Sequence, residues 1–273
     1  MPQAESVWTI TVLGGYLLAA FLTARSITPS DEAASTRSAL PVAAVATLVF
    51  AVHGVLLYGA VLGKAQLDLN ISNTLSLLGW LLAAAALVAL ARAPLRGLAA
   101  LLLPIAGLCA LVTGIGREDV LRTQGWLIDA HIVLSLVASA ALTVAAVLAL
   151  LMAVQERRLR AHQLGGIVAL LPPMETMERV LFATIGVGFG VLSLALFSGL
   201  IFVEDLFSQH LAHKTILSIA AWLVFALLLL GRWRFGWRGR TAVNWTLGGF
   251  GILALAYFGS RMVLELILGR HWG

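Results

Sequence analysis

The sequence predicts an all-α polytopic membrane protein, a bundle of about eight transmembrane helices with both termini outside, forming one integral membrane domain over residues 1–273. Three observations predict it. Hydrophobic residues make up 60% of the chain and charged residues only 11%, whereas a soluble domain is about 45–50% apolar and about 25% charged. The apolar residues come in blocks of bilayer-crossing length, and in lipid a helix satisfies its own backbone polar groups. Finally, the few charges sort into the short connections between the blocks.

The spans follow in order. Trp8–Ala24 comes after MPQAES, which has no basic residue and no convincing cleavage site, so it reads as a retained helix rather than a signal peptide. Leu40–Leu62 and Leu75–Leu90 are next. Leu98–Ile115 holds the single cysteine, Cys109, so neither an intramolecular disulfide nor a cysteine metal cage is available. Trp126–Val154 opens on a tryptophan, the usual interfacial anchor. Val180–Phe202 is preceded by LPPMETMER, which reads as a turn at Pro172 and Pro173 and then a helix start. Glu175 or Glu178 there suits the positive end of the helix. Thr215–Leu230 and Val243–Leu268 complete the set. Gly186, Gly188 and Gly190, like Gly248, Gly249 and Gly251, lie within apolar helices with no preceding strand; they read as close helix packing, not nucleotide loops.

Direction follows from Lys and Arg. The odd connections carry Arg25, Arg37, Arg92, Arg96, Arg157, Arg158, Arg160, Arg179, Arg232, Arg234, Arg238 and Arg240. The even connections and tails carry Lys64, Arg117, Arg122, Lys214 and Arg270, and Arg261 lies within a span. The odd connections are therefore expected in the cytoplasm, in a multi-pass protein of the cell inner membrane. The net charge of +5 reads as topology, because no basic face is interleaved with aromatics as a nucleic-acid surface requires.

That direction sorts the polar residues by depth. His53 and Arg261 lie inside spans, with Glu265 one turn beyond Arg261. His131, His210, His213 and His271 fall toward the outer side, and His162 toward the cytoplasm. An ionisable group within a span costs about 2.5–3.5 kcal/mol on insertion scales and faces a partner or a cavity. Arg261 is a structural partner for Glu265 at i+4 or an anchor for a ligand carboxylate. His53 and His131 are packing residues or ligands, and neutral imidazole is the usual axial ligand of an intramembrane haem iron. Trp126, Asp129 and His131 cluster at one mouth. Glu204, Asp205, His210 and His213 are metal-ligand types without zinc or calcium spacing. No P-loop, nucleophile elbow or HExxH run occurs.

Ordered motifs then carry a resemblance. HIVLSLVASA from His131, LPPMETMERVLF, IGVGFGVLSLALFSGLIF, HKTILSIAAWLVFALLLLGR, GWRGR at Gly236 to Arg240, AYFGSRMVLELIL and the earlier ISNTLSLLGW resemble the cytochrome c assembly family, the CcsA/HemX/YpjD-like membrane proteins that handle haem. The stretch Phe202 to Lys214 lacks the tryptophan-rich segment with which the synthase members present haem to apocytochrome, so the resemblance is to the smaller branch. It implies haem b as cofactor, His53 and His131 as axial ligands of the haem iron, His213 and His271 as fallback partners, and Arg261 against the haem propionates. The implied role is haem handling or cytochrome c biogenesis. Expected partners are membrane lipid, haem and other membrane biogenesis or redox proteins, with no nucleic acid. Two other readings stand beside it: a haem-free transporter or transporter subunit using Arg261, Glu265 and the outer histidines, and a structural assembly subunit.

Overall fold

The computed structural model describes residues 2–27, 32–62, 67–68, 71–115, 120–121, 126–163, 165–202 and 212–256. Helices dominate: α1 (Pro2–Ser26), α2 (Glu32–Leu62), α3 (Ile71–Leu90), α4 (Arg96–Ala110), α5 (Trp126–Arg160), the short α6 (Ile167–Leu170), α7 (Met174–Phe202), α8 (Ala212–Phe235) and α9 (Gly239–Ala254). Among the described residues six of them are long and apolar enough to cross a membrane: Val7–Ser26, Pro41–Val61, Ser72–Leu90, Ala130–Arg160, Met174–Ile201 and Lys214–Phe235. Their large apolar side chains remain exposed, Val55 at 70% and Ile201 at 71%, as expected where the surrounding solvent is hydrocarbon. The chain is a polytopic membrane helix bundle.

Among the described residues two sequence expectations shift; of the eighth span, expected over Val243–Leu268, the part from Tyr257 onward lies outside the described residues. The fourth span, expected over Leu98–Ile115, is helical only as Arg96–Ala110. It stops because the Thr113 hydroxyl donates to the Ala110 carbonyl at 2.7 Å, and Gly114, at φ 73°, turns the chain so that its N–H donates to Asn73 Oδ1 at 2.9 Å. The second shift is a two-residue antiparallel strand pair, Leu67–Asp68 with Val120–Leu121, in connections that hydropathy alone reads as plain loops. The entry to α7 is as expected: Pro172 and Pro173 lie outside helix, α7 starts at Met174, and Glu175 sits in its first turn.

The chain divides into two compact units, Met1–Thr123 with Arg158–Thr176, and Gln124–Arg157 with Met177–Gly273. In the first unit α3 and α4 pack on each other, α1 packs on α4 and α2, and α2 also packs on α3. Small residues permit the approach. Gly79 faces Cys109 and the Ala106 carbonyl, Gly107 faces Leu13 and Tyr16, and Gly97 faces the Leu170 carbonyl; in lipid, close van der Waals packing of this kind does much of the work of association. On α2 the buried positions Val42, Ala46, His53, Leu57 and Val61 form one stripe at helical spacing.

In the second unit α7 buries Met177, Leu181, Ile185, Gly188, Leu192 and Ala195 along one stripe. Of the glycines expected to pack, a Cβ on Gly188 would meet Leu142 at 2.8 Å and one on Gly249 would meet Phe225 and Val224 at 3.0 Å. Gly186, Gly190, Gly248 and Gly251 have nothing within 4 Å, so one glycine of each trio is a packing site and the others face outward.

Candidate functional site

His131 lies five residues into α5, about 8 Å along the axis, opposite the last turns of α7. Its Nδ1 is 3.0 Å from the Ala195 carbonyl oxygen and 3.0 Å from Ser198 Oγ. The Ser198 hydroxyl donates its own proton to Ala195 O at 2.8 Å. A carbonyl can only accept, so the ring proton sits on Nδ1 and is shared between the two oxygens. Nε2 is then a bare lone pair, with no hydrogen-bond partner among the described residues. The ring fits there because position 199 has no side chain: a Cβ on Gly199 would sit 3.0 Å from His131 Cε1. Ala195 and Gly199 are one turn apart on the buried stripe of α7, so a single helix face supplies both the acceptor and the space.

Gly199→Ala is therefore expected to push the imidazole away by a few tenths of an ångström and weaken the Nδ1 hydrogen bond, at a stability cost of about 1 kcal/mol. In histidine-labelled NMR the Nδ1 proton resonance should move upfield. An unmoved resonance would show that the ring is not held by this face.

His53, in the first unit, is fully buried and fully engaged. Thr113 donates to Ala110 O, so the 2.6 Å contact between Ser76 Oγ and Thr113 Oγ1 is a donation by Ser76. Ser76 in turn accepts from His53 Nε2 at 3.0 Å, and the bare Nδ1 accepts from the Tyr16 hydroxyl at 3.2 Å. This single direction of donation gives every group in the chain a partner. Tyr16, His53, Ser76 and Thr113 come from α1, α2, α3 and the turn after α4, and all are buried. Trp80 seals the adjoining α2–α3 contact, stacking on Phe50 with centroids 4.5 Å apart and donating to the Phe50 carbonyl at 3.0 Å.

At the other end of the second unit, Glu178 Oε1 takes a hydrogen bond from Arg232 Nη1 at 2.6 Å. The same nitrogen donates to the Trp237 carbonyl at 3.2 Å, and the guanidinium lies 4.7 Å from the Phe182 centroid. Sequence placed Glu178 at a helix start; the fold gives it a cross-helix arginine.

The structure thus resolves two of the expected histidines, His53 in one unit and His131 in the other. His213 falls in the first turn of α8, but its side chain lies outside the described residues, as do those of Trp126 and Asp129. Glu204, Asp205, His210, Arg261, Glu265 and His271 lie wholly outside them. Among the described residues no three His, Cys, Asp or Glu side chains converge as a metal cluster. Tyr16, Ser76, Thr113 and Ser198 escaped sequence reasoning. Their one signal is a hydroxyl within or at the end of an apolar span, and most such hydroxyls merely bond their own helix, as Thr143 does to Ser139 and Thr184 to Val180.

A family model described as Cytochrome C assembly protein matches residues 41–268. The chain is 41% identical over 145 residues to the Inner membrane protein YpjD of Escherichia coli K12, an alignment covering 53% of this chain and 54% of that protein. It is 36% identical over 144 residues to a 28.8 kDa protein of Azospirillum brasilense, covering 52% and 53% respectively. Against the cytochrome c biogenesis protein CcsA of Synechococcus elongatus it is 26% identical over 100 residues, 36% of this chain and 31% of that one. The chain spans about half the length of the first two relatives. No solved structure matches it.

Proposed function

Because the chain belongs to the cytochrome c assembly protein family, we propose that it binds haem b in the cell inner membrane and serves haem handling in cytochrome c biogenesis. The observation that carries this reading is the state of His131. A histidine that ligates a metal through one nitrogen commonly donates its other N–H to a carbonyl or carboxylate, which fixes tautomer and ring orientation and raises basicity. His131 has that arrangement without a metal: Nδ1–H is held by Ala195 O and Ser198 Oγ, and Nε2 is left as the donor atom.

In this reading His131 would hold the haem iron through Nε2. His53, in the first unit, would offer a lone pair only by giving up Tyr16 at Nδ1, since its Nε2–H is committed to Ser76. His213 is the other candidate, and Arg261 is the partner for the propionates. Haem held there would supply a redox-active iron whose potential responds to the identity of its protein ligands and to the hydrogen bonding behind them. The protein's own contribution is to present a neutral, oriented imidazole near one end of the bundle. By the distribution of Lys and Arg that end is the outer one.

The test is the absorption spectrum of protein purified from haem-replete cells. A Soret band is expected, lost or sharply weakened in His131→Ala and unchanged in His162→Ala. Folded wild-type protein without haem, or an undiminished band in His131→Ala, overturns the reading.

A further inference from the structure

The turn between α8 and α9 carries Arg232, Arg234, Arg238 and Arg240 within nine residues and no acidic residue. Arg232 is committed: it is clamped by Glu178, the Trp237 carbonyl and the Phe182 ring. Arg238 reaches the same carboxylate only at 3.8 Å, with its side chain 72% exposed. Arg234 and Arg240 are exposed and have no ion-pair partner among the described residues. One carboxylate against four guanidiniums leaves the turn with a net positive charge that the described protein does not answer.

The shape of the turn is set by the protein. Gly236 and Gly239 take φ values of 66° and 54°, a region open to glycine at no steric cost. Trp237 donates its N–H to the Gly231 carbonyl at 3.2 Å, lies over Gly231 and packs on Trp245 with centroids 5.2 Å apart. Trp233 and Phe235, by contrast, are 84% and 71% exposed. All of this stands at the end of the apolar span Lys214–Phe235, which puts the turn at the boundary between hydrocarbon and water. Exposed aromatics beside exposed arginines at that depth match a ligand with an anionic head and apolar tails.

We propose that this turn is a binding site for an anionic phospholipid, its phosphate taken by Arg234, Arg238 and Arg240 and its acyl chains lying against Trp233 and Phe235. Arginine suits the role because its planar fork pairs two oxygens of one phosphate. A free phosphate or an acidic protein segment would use the arginines and leave the aromatics idle. Each basic residue near an anionic membrane surface is worth about fivefold in affinity, so three together are worth roughly a hundredfold.

The experiment measures retention of phosphatidylglycerol and phosphatidylcholine on the purified full chain by native mass spectrometry. Phosphatidylglycerol should bind in preference to phosphatidylcholine, and Arg234→Gln/Arg238→Gln/Arg240→Gln should lower its apparent affinity roughly a hundredfold while the protein stays monodisperse. The control, Arg157→Gln/Arg158→Gln, should bind it as wild type does. Three results overturn the proposal: no preference for phosphatidylglycerol, an equal loss in the control, or full displacement of the lipid by millimolar inorganic phosphate. Should the triple variant aggregate, Trp233→Ala/Phe235→Ala takes its place. It is expected to weaken phosphatidylglycerol binding but to leave the weak binding of inorganic phosphate unchanged, and an unweakened lipid affinity again overturns the site.

Discussion

Gly97→Ala is expected to destabilise the first unit by about 3 kcal/mol, the upper end of the usual range for overpacking a close-packed interior. Gly97 is buried in the first turn of α4, and a Cβ there would run into the carbonyl oxygen and carbon of Leu170, at the end of α6. A flexible side chain in the way could rotate aside. Here the obstacle is backbone, so α4 and the segment carrying α6 must separate. The neighbouring contacts resist that, because Leu98, Ala99, Ala100, Leu102 and Leu103 are all buried along the same helix and Val168 and Leu171 are buried beside Leu170. Unfolding of the detergent-solubilised protein measures the cost. The internal reference is Gly14→Ala or Gly186→Ala, helical positions with nothing within 4 Å of the new Cβ. There alanine should be neutral or stabilising, since glycine in a helix interior costs about 1 kcal/mol relative to alanine. Equal stability of Gly97→Ala and these references would mean that α6 does not pack on α4 as described.

The next largest effect is expected from His53→Leu, at about 2 kcal/mol. The substitution keeps side-chain bulk but cuts the donor chain at its centre, leaving the Tyr16 hydroxyl without an acceptor and Ser76 without a donor. An orphaned buried polar group costs about 1–3 kcal/mol, although polar contacts between membrane helices average nearer 0.6 kcal/mol. The diagnostic is the cycle with Tyr16→Phe. Removing both partners removes the stranded phenol, so Tyr16→Phe/His53→Leu should be more stable than the sum of the two single losses predicts. Strict additivity in the unfolding data would show that the 3.2 Å contact carries no coupling. The same variants test His53 as a haem ligand in its own right: Tyr16→Phe leaves Nδ1 bare, so a ligating His53 should bind hemin at least as tightly in that variant as in wild type, and less tightly once replaced in His53→Leu.

The elements most readable in advance were those determined by composition and punctuation. The α7 entry is one, because two prolines cannot continue a helix and acidic residues suit the start of the next. The long spans are another, because their apolar residues have no alternative to lipid or protein. Less readable was the end of α4. Leu111 and Val112 are as apolar as the residues before them, and the stop comes from Thr113, Gly114 and a side chain of α3, Asn73, which no window centred on α4 contains. The glycines divide for the same kind of reason. Gly186, Gly188 and Gly190 are alike in sequence, and only Gly188 meets Leu142 and Ala141.

Helicity, approximate depth and the scarcity of charge follow from residue order alone, because a bilayer forbids unpaired backbone and penalises charge whatever the neighbours are. Residue order therefore suffices to pick out His53 and His131 as polar groups in apolar helices. It does not specify which way a uniformly apolar helix is turned, since every face is greasy enough for lipid or core. Packing of the small residues on α3, α4 and α7 sets those rotations. It turns His53 onto the buried stripe of α2, where Tyr16 and Ser76 use both ring nitrogens, and it turns His131 against Ala195 and Gly199 with one nitrogen spare.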